Sequence, residues 1–239
     1  MVYNLQAIMS KGINNSLVQF ERFGQIANNL SNFQTTGYKD VAFEQILKED
    51  GYLTGAVRTN YMQGSIRITS NPFDVAIDGA GYIPVVSPSG EVQYTRDGAF
   101  KQGKDGYLTT RDGWLVGEGI QIPVNCFKFD IKDNGDVMAY DSRGAKAKKV
   151  GTIPLIRFDN PAGMELADMN RLKPTDDAGE ARLVKNHDSF KQYNLEASNV
   201  SVYNSAIDLL RLNASMLASM QMIQLADTMY NKAINIRES

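Results

Sequence analysis

The 239 residues carry a formal net charge of -2, with 43% hydrophobic and 22% charged residues, a composition that suits one or two globular cores. A near-neutral chain without a long basic run lacks the face that phosphate binding needs, so nucleic acid is excluded as the main partner. No stretch approaches the roughly 18 uninterrupted apolar residues of a membrane-spanning helix, Met1 to Leu30 lacks the pattern of a secretory signal, and a lone Cys126 rules out an intrachain disulfide.

Leu5, Met9, Gly12, Ser16, Gln19, Phe23, Ile26 and Leu30 step by three or four residues, which predicts an N-terminal helix with one seam of the coiled-coil kind. Ile13, Leu17, Phe20 and Ala27 form a second stripe beside it. Asn28, Asn29, Ser31 and Asn32 then offer short polar side chains that compete with helical hydrogen bonds, so the helix should end near Leu30 to Asn32. Residues 33–62 are expected as an extended junction, containing a brief apolar piece at Val41, Phe43, Ile46 and Leu47.

From Gln63 the period changes to two. Ser65 to Thr69 and Asp74 to Asp78 alternate polar and apolar residues as half-buried strands should. Turn dipeptides recur at strand-length intervals: Asp78-Gly79, Asp97-Gly98, Asp105-Gly106, Asp112-Gly113 and Asn134-Gly135. The pattern predicts an antiparallel sandwich or barrel over 63–199, with a further strand at Gly151 to Phe158 and no clear pattern between Glu165 and Lys191.

The helical period returns at Val202 without an interrupting Pro or Gly. Ala206, Leu209, Asn213, Met216, Met220, Ile223, Asp227, Tyr230 and Ile234 form its expected seam, while Ile207, Leu210, Leu217, Leu225 and Met229 thicken the apolar surface. The fold class is therefore α+β, with helical ends (1–32 and 200–239) expected to pair as an antiparallel, coiled-coil-like unit and a central antiparallel β domain between them; the alternative is that each helix packs separately on the β domain. Two stripes on each helix exceed what one partner covers, which points to assembly. The expected assembly residues are Leu5, Met9, Phe23, Ile26, Leu30, Leu209, Met216, Met220, Ile223 and Tyr230.

Reactive chemistry is sparse. His187, the only histidine, sits among Lys185, Asn186 and Asp188 as a solvated loop residue would, and one Cys with one His cannot build a structural zinc site. Asp133-Asn134-Gly135-Asp136 lacks the ligand spacing and closing Glu of a calcium loop and reads as a hairpin turn. No catalytic, cofactor-binding or metal residue is expected, and the methionines Met216, Met220, Met222 and Met229 read as adaptable packing.

The run from Ala27 to Lys39 resembles the N-terminal signature of the bacterial flagellar axial proteins, the rod and hook subunits, through Asn28, Asn29, Asn32, Thr35, Thr36, Gly37, Tyr38 and Lys39. Asn71 to Gly79, Tyr94 to Phe100, Asn194 to Val200 and the Gly64-Ser65 pair are similar to further motifs of that family, so the resemblance spans the chain. It implies a structural, non-enzymatic subunit of the basal-body rod in the periplasm, polymerising through its terminal helices into a tubular drive shaft that transmits torque. It further implies copies of itself and other rod or hook proteins as partners, export through the flagellar type III apparatus without a cleaved signal, and no membrane insertion. The short Glu49 to Met62 stretch, Val116 to Pro123 and Met222 to Asp227 look most like the proximal-rod subfamily, whereas Leu212 to Met216 departs from the final-helix patch of many relatives. The competing reading is a β-domain binding module or carbohydrate-active protein with a helical oligomerisation stalk, in which Asp74, Asp78 and Asp97 would supply the carboxylates.

Overall fold

A computed structural model describes residues 2–238, with side chains over 6–232; the side chains of Leu5 and Ile234 lie outside the described residues. Two compact units are present. Residues 1–33, 40–60 and 200–239 make the helical one, and 34–39 with 61–199 make the β one. The stretch 33–62, expected as one extended segment, is thus divided between them.

In the helical unit, α1 (Val2–Ser31) and α2 (Val202–Glu238) pair as antiparallel neighbours: Arg22 meets Asp208, Gln19 meets Ser215, and Asn15 meets Ser219. α1 stops at Ser31, where Asn32 turns its amide back to the Asn28 carbonyl at 2.9 Å and so ends the helical ladder. The apolar piece after it is a regular hairpin, β1 (Val41–Leu47) with β2 (Leu53–Thr59).

The β unit is antiparallel throughout its described ladders. Its largest sheet orders the strands Met164–Leu166, Arg171–Pro174, Val92–Thr95, Ile83–Val86, Leu115–Val116, Leu108–Thr109 and Lys101–Gln102. The outer two strands do not pair with each other, so no barrel closes. Inward residues of this sheet, Ile83, Leu108 and Val116, share one apolar core with Phe129, Ile131 and Val137 of a three-stranded sheet built from Lys128–Ile131, Asp136–Tyr140 and Lys148–Thr152.

Three sequence expectations change here. The strand expected over Gly151 to Phe158 becomes two, Lys148–Thr152 and Ile156–Arg157, because Pro154 between them has no N–H for a ladder. β3 (Ile66–Ile68) leaves Ile68 85% exposed, so alternation there does not mean half-burial. In β4 (Val75–Ile77) all three residues are buried, because Phe190–Gln192 pairs alongside and the core covers it.

Candidate functional site

The helix pair meets through small and polar residues. Ser205, Leu212, Ser219 and Ala226, each seven residues apart, are the buried positions of α2, with Leu209, Met216, Ile223 and Tyr230 half-buried between them. Gly12 faces Ile223 so closely that a Cβ would come within 2.9 Å of the Ile223 side chain. At the centre lies a polar layer: Gln19, 1% exposed, donates to the Ser215 hydroxyl at 2.8 Å and to the Asn15 side chain at 3.2 Å, while Asn15 donates to the Ser219 hydroxyl at 2.7 Å. The Gln19 Oε1 atom is buried without a partner, which makes this layer less favourable than an apolar one of the same shape.

Away from the seam, large apolar side chains face solvent. On α1 they are Ile13, Leu17, Phe20 and Phe23, between 49% and 59% exposed. On α2 they lie on both flanks, with Leu210, Leu217 and Met220 on one side and Met222, Leu225 and Met229 on the other, all more than half exposed. A helix that presents large apolar side chains on both flanks as well as along its packed face exposes surface of a kind that is usually enclosed.

The β unit holds a different feature, an ionic node around Glu196. This carboxylate is 1% exposed and accepts from Arg96 Nε at 2.7 Å, Lys39 Nζ at 2.6 Å and the Gly64 N–H at 2.9 Å. Arg96 spends its remaining nitrogens on the carbonyls of Gly81 and Gly79, at 2.8 and 2.9 Å. Burial pushes the Lys39 ammonium below its ordinary value, against the pull of Glu196. The Glu196 carbonyl accepts from Gly37 N–H at 2.9 Å, and Thr36 donates to Asp97 at 2.5 Å. Gly37 has φ +67, and a Cβ there would strike the Arg96 main chain at 2.7 Å, so two separate constraints require glycine.

Comparison with known proteins gives the same direction from outside. Residues 76–139 match the family model described as the flagellar hook protein FlgE/F/G D1 domain. The chain is 31% identical to the flagellar basal-body rod protein FlgG of Agrobacterium fabrum, over 85% of this chain and 89% of that protein. Against FlgG of Caulobacter vibrioides the identity is 30%, over 89% of this chain and 92% of the relative. The chain belongs to the FlgG family of flagellar basal-body rod proteins. The flagellar hook protein FlgE of Brucella abortus is 35% identical over a shorter region, 48% of this chain and 32% of that protein. A member of this family is a structural subunit of the flagellar axis, located in the basal-body rod.

In this FlgG-family chain, the motif residues recognised in the sequence have definite duties. Asn29 clasps the hairpin, Asn32 ends α1, Thr36 and Gly37 dock on the Asp97 turn and the Glu196 strand, Tyr38 is buried, and Lys39 enters the node. Of the residues expected on the helix seam, Ile26 is buried, and Met9, Leu30, Leu209, Met216, Ile223 and Tyr230 are half-buried. Phe23 and Met220 are not on it: they are 49% and 54% exposed. The expected α2 seam runs one residue late at alternate positions, where the buried residues are Ser205, Leu212, Ser219 and Ala226; three of these four are small and carry little hydrophobic signal. Local pattern does not reveal the node; its trace in the sequence is three charged residues, Lys39, Arg96 and Glu196, inside three separate motifs. His187, expected to be solvated, is half-buried and stacks edge-on against Phe190 at 5.2 Å, and burial lowers its pKa.

Proposed function

We propose that this chain polymerises through its terminal helices into the flagellar rod and passes torque along it. The observation that carries the reading is the exposure of large apolar side chains on both flanks of α2, Leu210, Leu217 and Met220 on one and Met222, Leu225 and Met229 on the other, in a single chain. A monomer rarely leaves so much contiguous apolar surface in water, and identical neighbours arranged around a common axis would cover every flank at once. The α1 stripe of Ile13, Leu17 and Phe20 adds a further face of the same chemistry. The apolar area removed from water is worth roughly 25 cal/mol per Å², so a few such side chains per contact suffice for association. The relatives are named as rod and hook proteins, which supports copies of this chain and other axial subunits as the neighbours. The function assigns no catalytic step.

The experiment is a pair of exposed-face substitutions, Leu217→Asp and Leu225→Asp, introduced together. The purified variant keeps the helicity and melting of the parent, yet basal bodies isolated from cells carrying it as the sole copy lack the subunit and the structures beyond it. Normal incorporation of the double variant would remove the helices from the assembly mechanism.

A further inference from the structure

The chain passes between its two units at four places: 33 to 34, 39 to 40, 60 to 61 and 199 to 200. On the β side, residues that follow or precede these crossings gather around the Glu196 node. Gly37 and Lys39 bond Glu196 directly, Lys39 also donates to the Met62 carbonyl at 2.7 Å, and Gly64 N–H reaches the Glu196 carboxylate. The Asn199 amide closes the set, with Nδ2 on the Met62 carbonyl at 2.9 Å and N–H on the Tyr38 carbonyl at 3.3 Å.

Force applied to the helical unit enters the β unit through these crossings, since no other covalent path exists. The regular pairing available to resist it is short. β3 has three pairs with Asn194–Glu196, and residues 34–39 belong to no strand. Without Glu196 the Lys39 and Arg96 cations would also face each other in a buried site with no anion between them.

We infer that Glu196 is the anchoring residue of this fold: by gathering the four crossings onto Arg96 and the β core, it makes load from the helices act on the β unit as a whole instead of peeling segment 34–39 away. The torque-carrying meaning of the anchor rests on the rod function proposed above; the anchor itself does not.

Amide hydrogen exchange on the full-length purified chain tests it. In Glu196→Gln, the amides of Gly37, Gly64 and Asn199 exchange faster by on the order of 100-fold, while Ile83–Val86 and Lys128–Ile131 keep their protection. Lys39→Met removes one cation, keeps most of the buried stem and leaves the Arg96 pair, so it gives a smaller rise at the same amides and decides the matter if Glu196→Gln does not fold. A rise spread evenly over the core strands, or no local rise in either variant, overturns the anchor and leaves an ordinary core ion pair. In cells carrying Lys39→Met as the sole copy, swimming matches the parent in dilute medium and falls below it in viscous medium; equal swimming in both media overturns the load-carrying role. If exchange changes as expected but deleting the chain leaves swimming intact, the rod function fails and the anchor stands.

Discussion

Asn29 holds the main chain of Val41 from both sides: its side-chain amide donates to the Val41 carbonyl at 2.9 Å, and its side-chain oxygen accepts from the Val41 N–H at 3.1 Å. Asn14 does the same to Leu53, at 3.1 and 2.7 Å. A carboxamide presents a donor and an acceptor side by side, as a backbone strand does, so each Asn acts as one rung of a ladder between α1 and the hairpin. An isolated two-stranded hairpin is marginal in water, and the two clasps fix this one to α1 alongside the Ser10–Tyr52 hydroxyl contact at 3.0 Å.

Replacing Asn29 by Ala therefore leaves a part-buried N–H and carbonyl without partners, at a cost of about 1–3 kcal/mol. The loss is local. Amide exchange over Val41–Leu47 speeds up while the β-unit core is unaffected; unchanged exchange there would show the clasp to be incidental.

Met220 and Leu212 separate assembly from folding. Met220 is 54% exposed, so Met220→Asp changes the stability of the single chain by no more than about 0.5 kcal/mol and acts on rod incorporation instead. Leu212, 2% exposed, lies in the buried row of α2 with Ser205 and Ser219, and Leu212→Asp costs about 3 kcal/mol or more by burying an unpaired charge. Thermal melts followed at a helical wavelength, together with immunoblots of isolated basal bodies, check both. A Met220→Asp chain that enters the rod normally would clear that flank of any interface.

Gly37 and Gly90 share a positive φ but not surroundings. Gly90, at φ +89, has open space where a Cβ would go, so Gly90→Ala costs only the conformational penalty of roughly 1–2 kcal/mol. Gly37→Ala adds a clash with the Arg96 main chain and lowers the unfolding midpoint further. Comparable denaturation midpoints for the two variants would contradict this.

The Gln19 layer predicts an asymmetric result. Gln19→Leu removes the orphaned oxygen but also the donor to Asn15 Oδ1 and the Ser215 hydroxyl, so the two effects offset and stability changes by about 1 kcal/mol or less. Gln19→Glu puts a carboxylate in the same buried place, which raises its folded pKa above the unfolded value; the penalty is then full at neutral pH and fades as pH falls through that raised pKa. Urea unfolding at neutral and mildly acidic pH measures it, and a Gln19→Glu chain equally stable at both would mean the layer is open to water.

Much of this architecture is readable from local pattern. The three-to-four spacing of Met9 through Leu30 and the Asn-rich stop place the end of α1, and dipeptides such as Asn134-Gly135 place the hairpin turns, because both signals depend on residues within a few positions of each other. The family motif is likewise contiguous, so residues 27–39 identify the class without a fold.

What the tertiary structure decided depends on distance in sequence. Which face of α2 turns to α1 could not be read, since large apolar residues lie on both its flanks and the face that packs is marked by Ser205, Ser219 and Ala226, where closeness of approach outweighs hydrophobicity. The asparagine clasps join residues 12 and 39 apart. Lys39 and Arg96 reach Glu196 across 157 and 100 residues, and nothing in a one-dimensional pattern pairs a particular cation with a particular anion. Only a folded chain that excludes water from that point makes those three charges need one another.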